Sequence, residues 1–404
     1  MNAVDSQRRV VSGMRPDGRL HIGHYHGVLK NWVRLQHEYD CYFVIADWHS
    51  VANHRQDPAN LAAHTRELLT DWLAVGVNPS AATVLVQSRV PEQAELHLLL
   101  SMLTPLDWLE RLPVFRELQK RHQQDSLALS YGMLGYPLLQ AADILTYRAG
   151  LVPVGADQVD HIKLTADIAH RFNQLHSCEP GFVALAEAAI RKLPRKVIPL
   201  YQQLREQYQQ QGDREAMETA RALVLEQTNL TLADQNRLLG YLEGVARQIL
   251  PEPQVLLTDE PRLPGIDGDV MSRSVGNHIP LRSSNDDISH KIRNMRTDPQ
   301  RIRLSDAGDP FRCPVRALHR VYSSADELAV VDNHCQNAAR GCLECKQPLI
   351  DAIIAEQEPI RERAETFERS PDMLDTLLAE GSERARDAAR ATLEDVRKAM
   401  GLLR

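Results

Sequence analysis

Two histidines three positions apart, His21 and His24, flank Gly23 within Ser12-Gly13-Met14-Arg15-Pro16-Asp17-Gly18-Arg19-Leu20-His21-Ile22-Gly23-His24. Imidazoles at this spacing share one helix face, and both can donate to phosphate oxygens. The glycine between them leaves room for a flat ring to lie on the backbone. Arg15, Pro16 and Asp17 make the preceding turn and add a guanidinium to it. Farther along, Asp143 is the one acid in the apolar run from Tyr136 to Tyr147. A carboxylate there is costly unless something donates to it, so it calls for either a ligand or an internal ion pair. Gly155, Ala156, Asp157 and Gln158 follow the short apolar run Leu151 to Val154. Asp157 can accept from hydroxyl groups and Gln158 can hold the polar ends of an amino acid; helix capping is the alternative for both.

These side chains need elements to aim them. Arg9 to Val11 reads as a short strand, and Val28, Leu29, Trp32, Val33 and Leu35 fall at helical spacing. The histidines therefore sit where a strand turns into a helix N-terminus, whose free N–H groups and positive dipole suit phosphate. Residues 40–49 read as a buried strand ending in Asp47 and His49, residues 59–75 as a helix and residues 82–87 as another strand. Residues 92–122 are expected to be helical, interrupted at Pro105 and Pro113. The run from Tyr136 to Tyr147 is apolar nearly all round, as a buried helix is. Strands alternating with helices imply an α/β fold with a doubly wound parallel sheet, Rossmann-like, whose ligands lie beyond the carboxyl ends of the strands.

The totals bound the function. The chain has 404 residues, 43% hydrophobic and 25% charged, with aromatics at only 5%, which predicts a largely aliphatic core. A formal net charge of −7 argues against general nucleic-acid affinity; an RNA partner has to be met by local basic patches. No run of eighteen apolar residues is present, so no membrane span is expected. The first strand begins almost at once, leaving no room for a signal peptide, and the expected compartment is the cytoplasm. There the six cysteines should not pair as disulfides.

The stretch His21-Ile22-Gly23-His24 resembles the HIGH signature of class I aminoacyl-tRNA synthetases. Gln140-Ala141-Ala142-Asp143-Ile144-Leu145, then Val152-Pro153-Val154-Gly155-Ala156-Asp157-Gln158, then Thr165 to Asn173 form a series similar to tryptophanyl-tRNA synthetases. The resemblance implies that the acid at Asp143 accepts the indole N–H. Indole offers one donor and no acceptor, so a buried acceptor discriminates against phenylalanine. It also implies that Tyr136 and Gln158 surround the substrate's amino and carboxylate groups. Gln140 stands where some members carry methionine.

Leu263 and the stretch Pro264 to Gly268 lead into Val270-Met271-Ser272-Arg273-Ser274, which matches the mobile KMSKS loop of the family. Val270 replaces its first lysine and Arg273 its second. Arginine still grips phosphate; at Val270 a cation is lost, and Arg15 on the opposite loop is the candidate substitute. The ATP contacts implied are Arg15, Pro16, Asp17, Gly23, His24, Gly155, Ala156, Asp157, Leu263 and residues 270–274. His21, His24, Arg15 and Arg273 are the implied catalytic groups.

The expected division is a catalytic domain at residues 1–173 and a helical insertion at 174–257. The end of the catalytic domain follows at 258–285, then a helical anticodon-binding domain at 286–404 closing in an amphipathic helix pair. Arg191, Lys192, Arg195 and Lys196, and later Lys291, Arg293, Arg296, Arg301 and Arg303, are basic groups that either meet RNA or line solvated faces. Cys313, Cys335, Cys342 and Cys345 suggest a metal centre more than disulfides. Their spacing resembles the subset of tryptophanyl-tRNA synthetases carrying a 4Fe–4S cluster; zinc and free thiols are the alternatives. Cys41 and Cys178 are expected to be plain thiols. The implied activity is tryptophan–tRNA ligation with ATP and Mg²⁺, by a homodimer acting on tRNA(Trp). The competing readings are a tyrosyl-specific enzyme and a noncatalytic RNA-binding paralogue.

Overall fold

The computed structural model describes residues 8–51, 58–116, 119, 130–155, 158–177, 181–246, 248–257 and 262–402. Strand β1 (Arg9–Met14) leads through the Arg15 to His21 turn into helix α1, built from Ile22–His24, a π-helical stretch Tyr25–Leu29, and Lys30–Leu35. Strand β2 (Asp40–Ile45) runs into the short α2 (Asp47–Val51), then α3 (Pro58–Val75), β3 (Ala82–Val86) and α4 (Glu92–Ser101). Helix α5 (Tyr136–Thr146) precedes β4 (Leu151–Val154) and α6 (Val159–His176).

The strands form a sheet of order β3-β2-β1-β4-β5, with β5 at Gln254–Leu257, and every pairing is parallel. Val10, Phe43 and Val84 belong to one core cluster, while Val11, Tyr42 and Leu85 belong to another. That alternation is what a sheet covered on both faces requires. The chain reverses its winding between β1 and β4, so their carboxyl ends splay apart and open a crevice.

Helices α7 (Phe182–Ile190), α8 (Ile198–Gln211), α9 (Arg214–Leu225) and α10 (Leu232–Glu243) follow α6 and carry their own apolar cluster around Tyr201, Val224 and Leu238. Strand β5 lies inside the range expected to be wholly helical, and it completes the catalytic sheet. Its run Gln-Val-Leu-Leu is too short to separate from a helix turn by periodicity alone.

After β5 come helices α11 (Asn285–Asn294), α12 (Pro314–Tyr322), α13 (Ala325–Gln336), α14 (Cys342–Glu368) and α15 (Pro371–Ala399). The expected C-terminal helix pair is the single helix α15. These helices are not a detached unit either. Leu349, Ile350, Ile353, Ile360, Leu374 and Leu378 share one hydrophobic cluster with Val10, Trp32, Phe43 and Trp72. Helix α15 lies directly on β3, and a Cβ at Gly381 would stand 1.9 Å from the Val84 carbonyl oxygen. Glycine is what allows helix and strand backbones to approach so closely. Among the described residues, no helix is long and apolar enough to cross a membrane.

Candidate active site

A cavity of about 520 Å³ opens at the β1/β4 crevice. One wall is Ser12, Gly13, Met14 and Arg15 at the end of β1; the other is Val152, Pro153, Val154 and Gly155 at the end of β4. Helix α5 closes the floor with Tyr136, Gln140 and Asp143. His24, His49, Gln158 and His161 also line it.

Asp143 is 6% exposed, and its carboxylate is fully engaged. Gln87 Nε2 donates to both oxygens, at 2.9 and 2.8 Å. Gln93 Nε2 donates to Oδ1 at 2.8 Å and His49 Nε2 to Oδ2 at 3.0 Å. His49 Nδ1 has no partner among the described residues. The ion-pair and ligand explanations of this acid therefore merge: three side chains hold the carboxylate, and it still faces the cavity. A new N–H donor can be accepted if Gln87, which spans both oxygens, keeps one and releases the other. Tyr136 meets the His49 ring edge-on, with centroids 4.4 Å apart. Gln140 Oε1 lies 2.7 Å from His161 Nδ1, which fixes its amide.

The opposite end of the site gathers two guanidiniums and two buried histidines. The His21 and His24 rings lie 3.7 Å apart. The His21 backbone N–H donates to His24 Nδ1 at 3.2 Å, so neutral His24 carries its proton on Nε2, as a donor. Burial, then His278 and Arg273, press the His21 imidazole down to about 3. Burial, followed by His21 and Arg273, holds His24 well below its usual value. Both rings are thus uncharged donors near neutral pH. Gly23 serves the His21 ring: a Cβ there would stand 2.9 Å from Nδ1. Arg15 pairs with Asp17 at 3.1 Å, and Asp17 also accepts from Ser50 Oγ at 2.7 Å.

The 270–274 loop folds over this end. Arg273 Nη1 donates to the Gly18 carbonyl at 2.7 Å and Nη2 lies 4.0 Å from Asp17. Met271 N donates to Leu263 O at 3.0 Å, and the Ser272 and Ser274 hydroxyls are 2.9 Å apart. The buried Asn277 organises the loop: Oδ1 accepts from Ser272 N at 2.7 Å, and Nδ2 donates to Asp267 at 2.8 Å and to Val270 O at 3.2 Å. Behind it, Ile22 N donates to Ile279 O and Leu281 N to Leu20 O, tying the loop's return segment to the histidine turn.

A family model described as tRNA synthetases class I (W and Y) matches residues 4–203 and 229–356. The tryptophan–tRNA ligase of Ralstonia nicotianae is 52% identical over 394 residues, spanning 98% of either chain. The chain belongs to the class I tryptophanyl-tRNA synthetases. The Thermotoga maritima tryptophan–tRNA ligase is 36% identical to it, over 98% of this chain and 99% of its own. Tryptophanyl-tRNA synthetase from Campylobacter jejuni, solved with ADP and tryptophan, shares the fold at a TM-score of 0.71 and 24% identity, covering 97% of this chain and 99% of that one.

Within this synthetase fold, the structure gathers Arg15, His24, Tyr136, Gln140, Asp143, Gly155 and Gln158 around one cavity. His21 packs tilted against His24, Pro16 and Asp17 lie in the turn before them, and Gly23 stands between them in the first turn of α1. Leu263, Val270, Met271, Ser272, Arg273 and Ser274 are not among the cavity's lining residues; they stand over the Gly18 side. Ala156 and Asp157 lie outside the described residues. Sequence reasoning did not single out Gln87, Gln93, Asn277 or His278. Only Asn277, after Gly276 in a loop already marked, carried a local signal.

The four cysteines surround a second, small cavity of about 30 Å³, together with Arg301, Arg340 and Lys346. Cys313 caps α12, and Cys342 and Cys345 occupy the first turn of α14, so two positive helix ends point at the sulfurs. Burial, and then the other three thiols, push Cys345 up to about 11. Burial also raises Cys313 and Cys335. As the side chains stand, no group of three or more His, Cys, Asp or Glu among the described residues is arranged to hold a metal ion. The cavity has about one water's volume, so a cluster requires the thiols to rotate outward. The donor set, four thiols facing helix N-termini and three cations, suits an anionic metal–thiolate centre. Cys41 is a buried thiol pushed up to about 12, and Cys178 lies outside the described residues.

Proposed function

We propose that this synthetase activates tryptophan with ATP and transfers it to tRNA(Trp). The observation that carries the reading is Asp143, an engaged but cavity-facing carboxylate in the same crevice as Arg15 and His24. Its acceptor-only chemistry matches indole, which offers a single donor. Tyrosine also offers a hydroxyl donor, and the identity to tryptophan–tRNA ligases favours tryptophan over it.

The tryptophan carboxylate attacks the α-phosphorus, forming the acyl–phosphate bond while the bond to the β-phosphate oxygen breaks and pyrophosphate leaves. The protein's work is positioning and charge stabilisation. Tyr136, Gln140 and Gln158 orient the amino acid. His21 and His24 donate to phosphate oxygens, Gly155, Ala156 and Asp157 hold the ribose side, and Arg15 with Arg273 and the 270–274 loop closes over the pyrophosphate. Mg²⁺ enters with ATP as its counter-ion. In the second step a terminal hydroxyl of the tRNA takes the tryptophanyl group from AMP.

Cys313, Cys335, Cys342 and Cys345 would hold a 4Fe–4S cluster, with zinc as the alternative; either would cross-link the starts of α12 and α14 to α13. Iron, sulfide and zinc analysis of anaerobically purified protein, with its absorbance spectrum, distinguishes the two from free thiols. The exposed Arg293, Arg296 and Arg303 are the surface offered to tRNA, with Lys291 and Arg301 half-buried beside them, and a cytoplasmic homodimer is the expected state. Amino-acid-dependent ATP–pyrophosphate exchange tests the activity. Exchange with tryptophan is expected. Exchange with tyrosine instead would establish the tyrosyl reading, and RNA binding without exchange the noncatalytic one.

A further inference from the structure

Val270 leaves the signature loop one cation short, and the residue is 63% exposed. Arg15 does not bring unshared charge to make up the deficit, because it is already paired with Asp17 at 3.1 Å. A different group stands beside His21. The His278 ring lies 5.8 Å from the His21 ring, centroid to centroid, and feels the charge of Arg273; like those two residues it stands at the histidine end and outside the lining of the larger cavity. Its Nδ1 is buried and has no hydrogen-bond partner among the described residues; the same holds for His21 Nδ1. The position is rigid: Ile279 O accepts from Ile22 N and Leu281 N donates to Leu20 O, so the backbone carrying His278 is bonded to the backbone carrying His21. Asn277, beside it, anchors Ser272 and Val270 O.

We propose that His278 is a phosphate-binding residue of the adenylation reaction, supplying with Arg273 the positive charge that Val270 does not. The proposal rests on the reading of this cavity as the ATP site. A lysine on a flexible loop carries its charge before the nucleotide arrives. A histidine on the rigid return segment acquires charge when an anion comes within reach. Burial, then Lys291 and Arg273, lower His278, while a bond to the Ser272 backbone and the charge of Asp287 oppose them. His21 and His24 complete the groups that face it. A polyphosphate among these groups reverses the balance, because an opposite charge at contact distance favours the protonated ring. Binding of ATP or pyrophosphate therefore takes up a proton, and affinity tightens as pH falls from about 8 towards 6.

The test compares the full-length protein with His278→Asn, His278→Lys and the double variant Val270→Lys/His278→Asn. Tryptophan-dependent exchange is measured at several pH values, and calorimetry of ATP binding in buffers of different ionisation enthalpy counts protons. The nucleotide's own ionisation is common to all chains and cancels in the differences. For His278→Asn the KM for ATP and pyrophosphate should rise about tenfold to a hundredfold, the value of a charge-assisted hydrogen bond, with the tryptophan KM unchanged. Its proton uptake should fall below that of the parent chain. The double variant should recover pyrophosphate affinity, and His278→Lys should keep affinity while losing the proton uptake. If His278→Asn fails to fold, the lysine variant decides alone. An unchanged KM for both phosphates in His278→Asn, or unchanged proton uptake in His278→Lys, overturns the proposal. Absence of exchange in the parent chain instead overturns the reading of the cavity itself.

Discussion

Replacing Asp143 with asparagine keeps the shape of the side chain and removes its charge and half its acceptors. Gln87 and His49 donate to one oxygen and Gln87 and Gln93 to the other. Whichever oxygen becomes an amide nitrogen, two donors then face a donor. Each buried donor left unsatisfied costs about 1–3 kcal/mol, so the fold should lose about 2–6 kcal/mol. The hydrogen bond from an indole N–H to a charged acceptor is worth about 1.5–3 kcal/mol, which predicts a kcat/KM for tryptophan lower by about tenfold to a hundredfold. The assay is ATP–pyrophosphate exchange with tryptophan and with an analogue in which sulfur replaces the ring N–H. On the parent chain the analogue should suffer the same penalty that the substitution imposes on tryptophan. On Asp143→Asn the two substrates should become nearly equal, because the one remaining acceptor oxygen already takes two donors and has no lone pair left for the indole N–H. If the variant still prefers tryptophan by the parental factor, indole recognition lies elsewhere and the reasoning fails.

Arg273→Ala should lower kcat more than it raises KM for tryptophan, since the guanidinium stands at the Gly18 turn, the end proposed for the phosphates, and not at Asp143; steady-state exchange with unchanged turnover would remove the loop from catalysis. His21 carries a lowered folded-state value, about 3, against about 6.5 when unfolded, so the unfolded chain binds the extra proton between these values. Its contribution to stability is therefore complete above pH 6.5 and falls by about 1.4 kcal/mol per pH unit below it; denaturant melts of His21→Gln should show a shallower loss than the parent between pH 6 and 4. Gly381→Ala drives a methyl group into the Val84 carbonyl and should destabilise the chain by about 3 kcal/mol or more, seen as a lower thermal midpoint with little change in substrate KM.

Local pattern made much of this legible. The strand, turn and helix around His21 and the buried helix around Asp143 follow from runs of apolar residues and the residues that punctuate them. Parallel order followed from strand–helix alternation. Other features depend on contacts distant in sequence. Strand β5 has only four residues, and its place in the sheet comes from pairing with β4. The fusion of α14 and α15 with the catalytic core is a matter of which apolar faces meet, and amphipathicity names a face without naming its partner. Gln87 and Gln93 are neutral residues on a 3-10 turn and a helix, and nothing nearby in the chain says that both amides turn towards one carboxylate. His278 is one of 16 histidines, and only the bridge between residues 20–22 and 279–281 brings it to His21.

The central claim is that one crevice between β1 and β4 takes both substrates, phosphates at the histidine end and indole at Asp143. A crystal grown with a non-hydrolysable ATP analogue and tryptophan tests it most directly. The triphosphate is expected between His24, His278 and Arg273, with the indole nitrogen within hydrogen-bond distance of an Asp143 oxygen. A nucleotide seated away from the His21 turn, or an indole ring turned from Asp143, would contradict it.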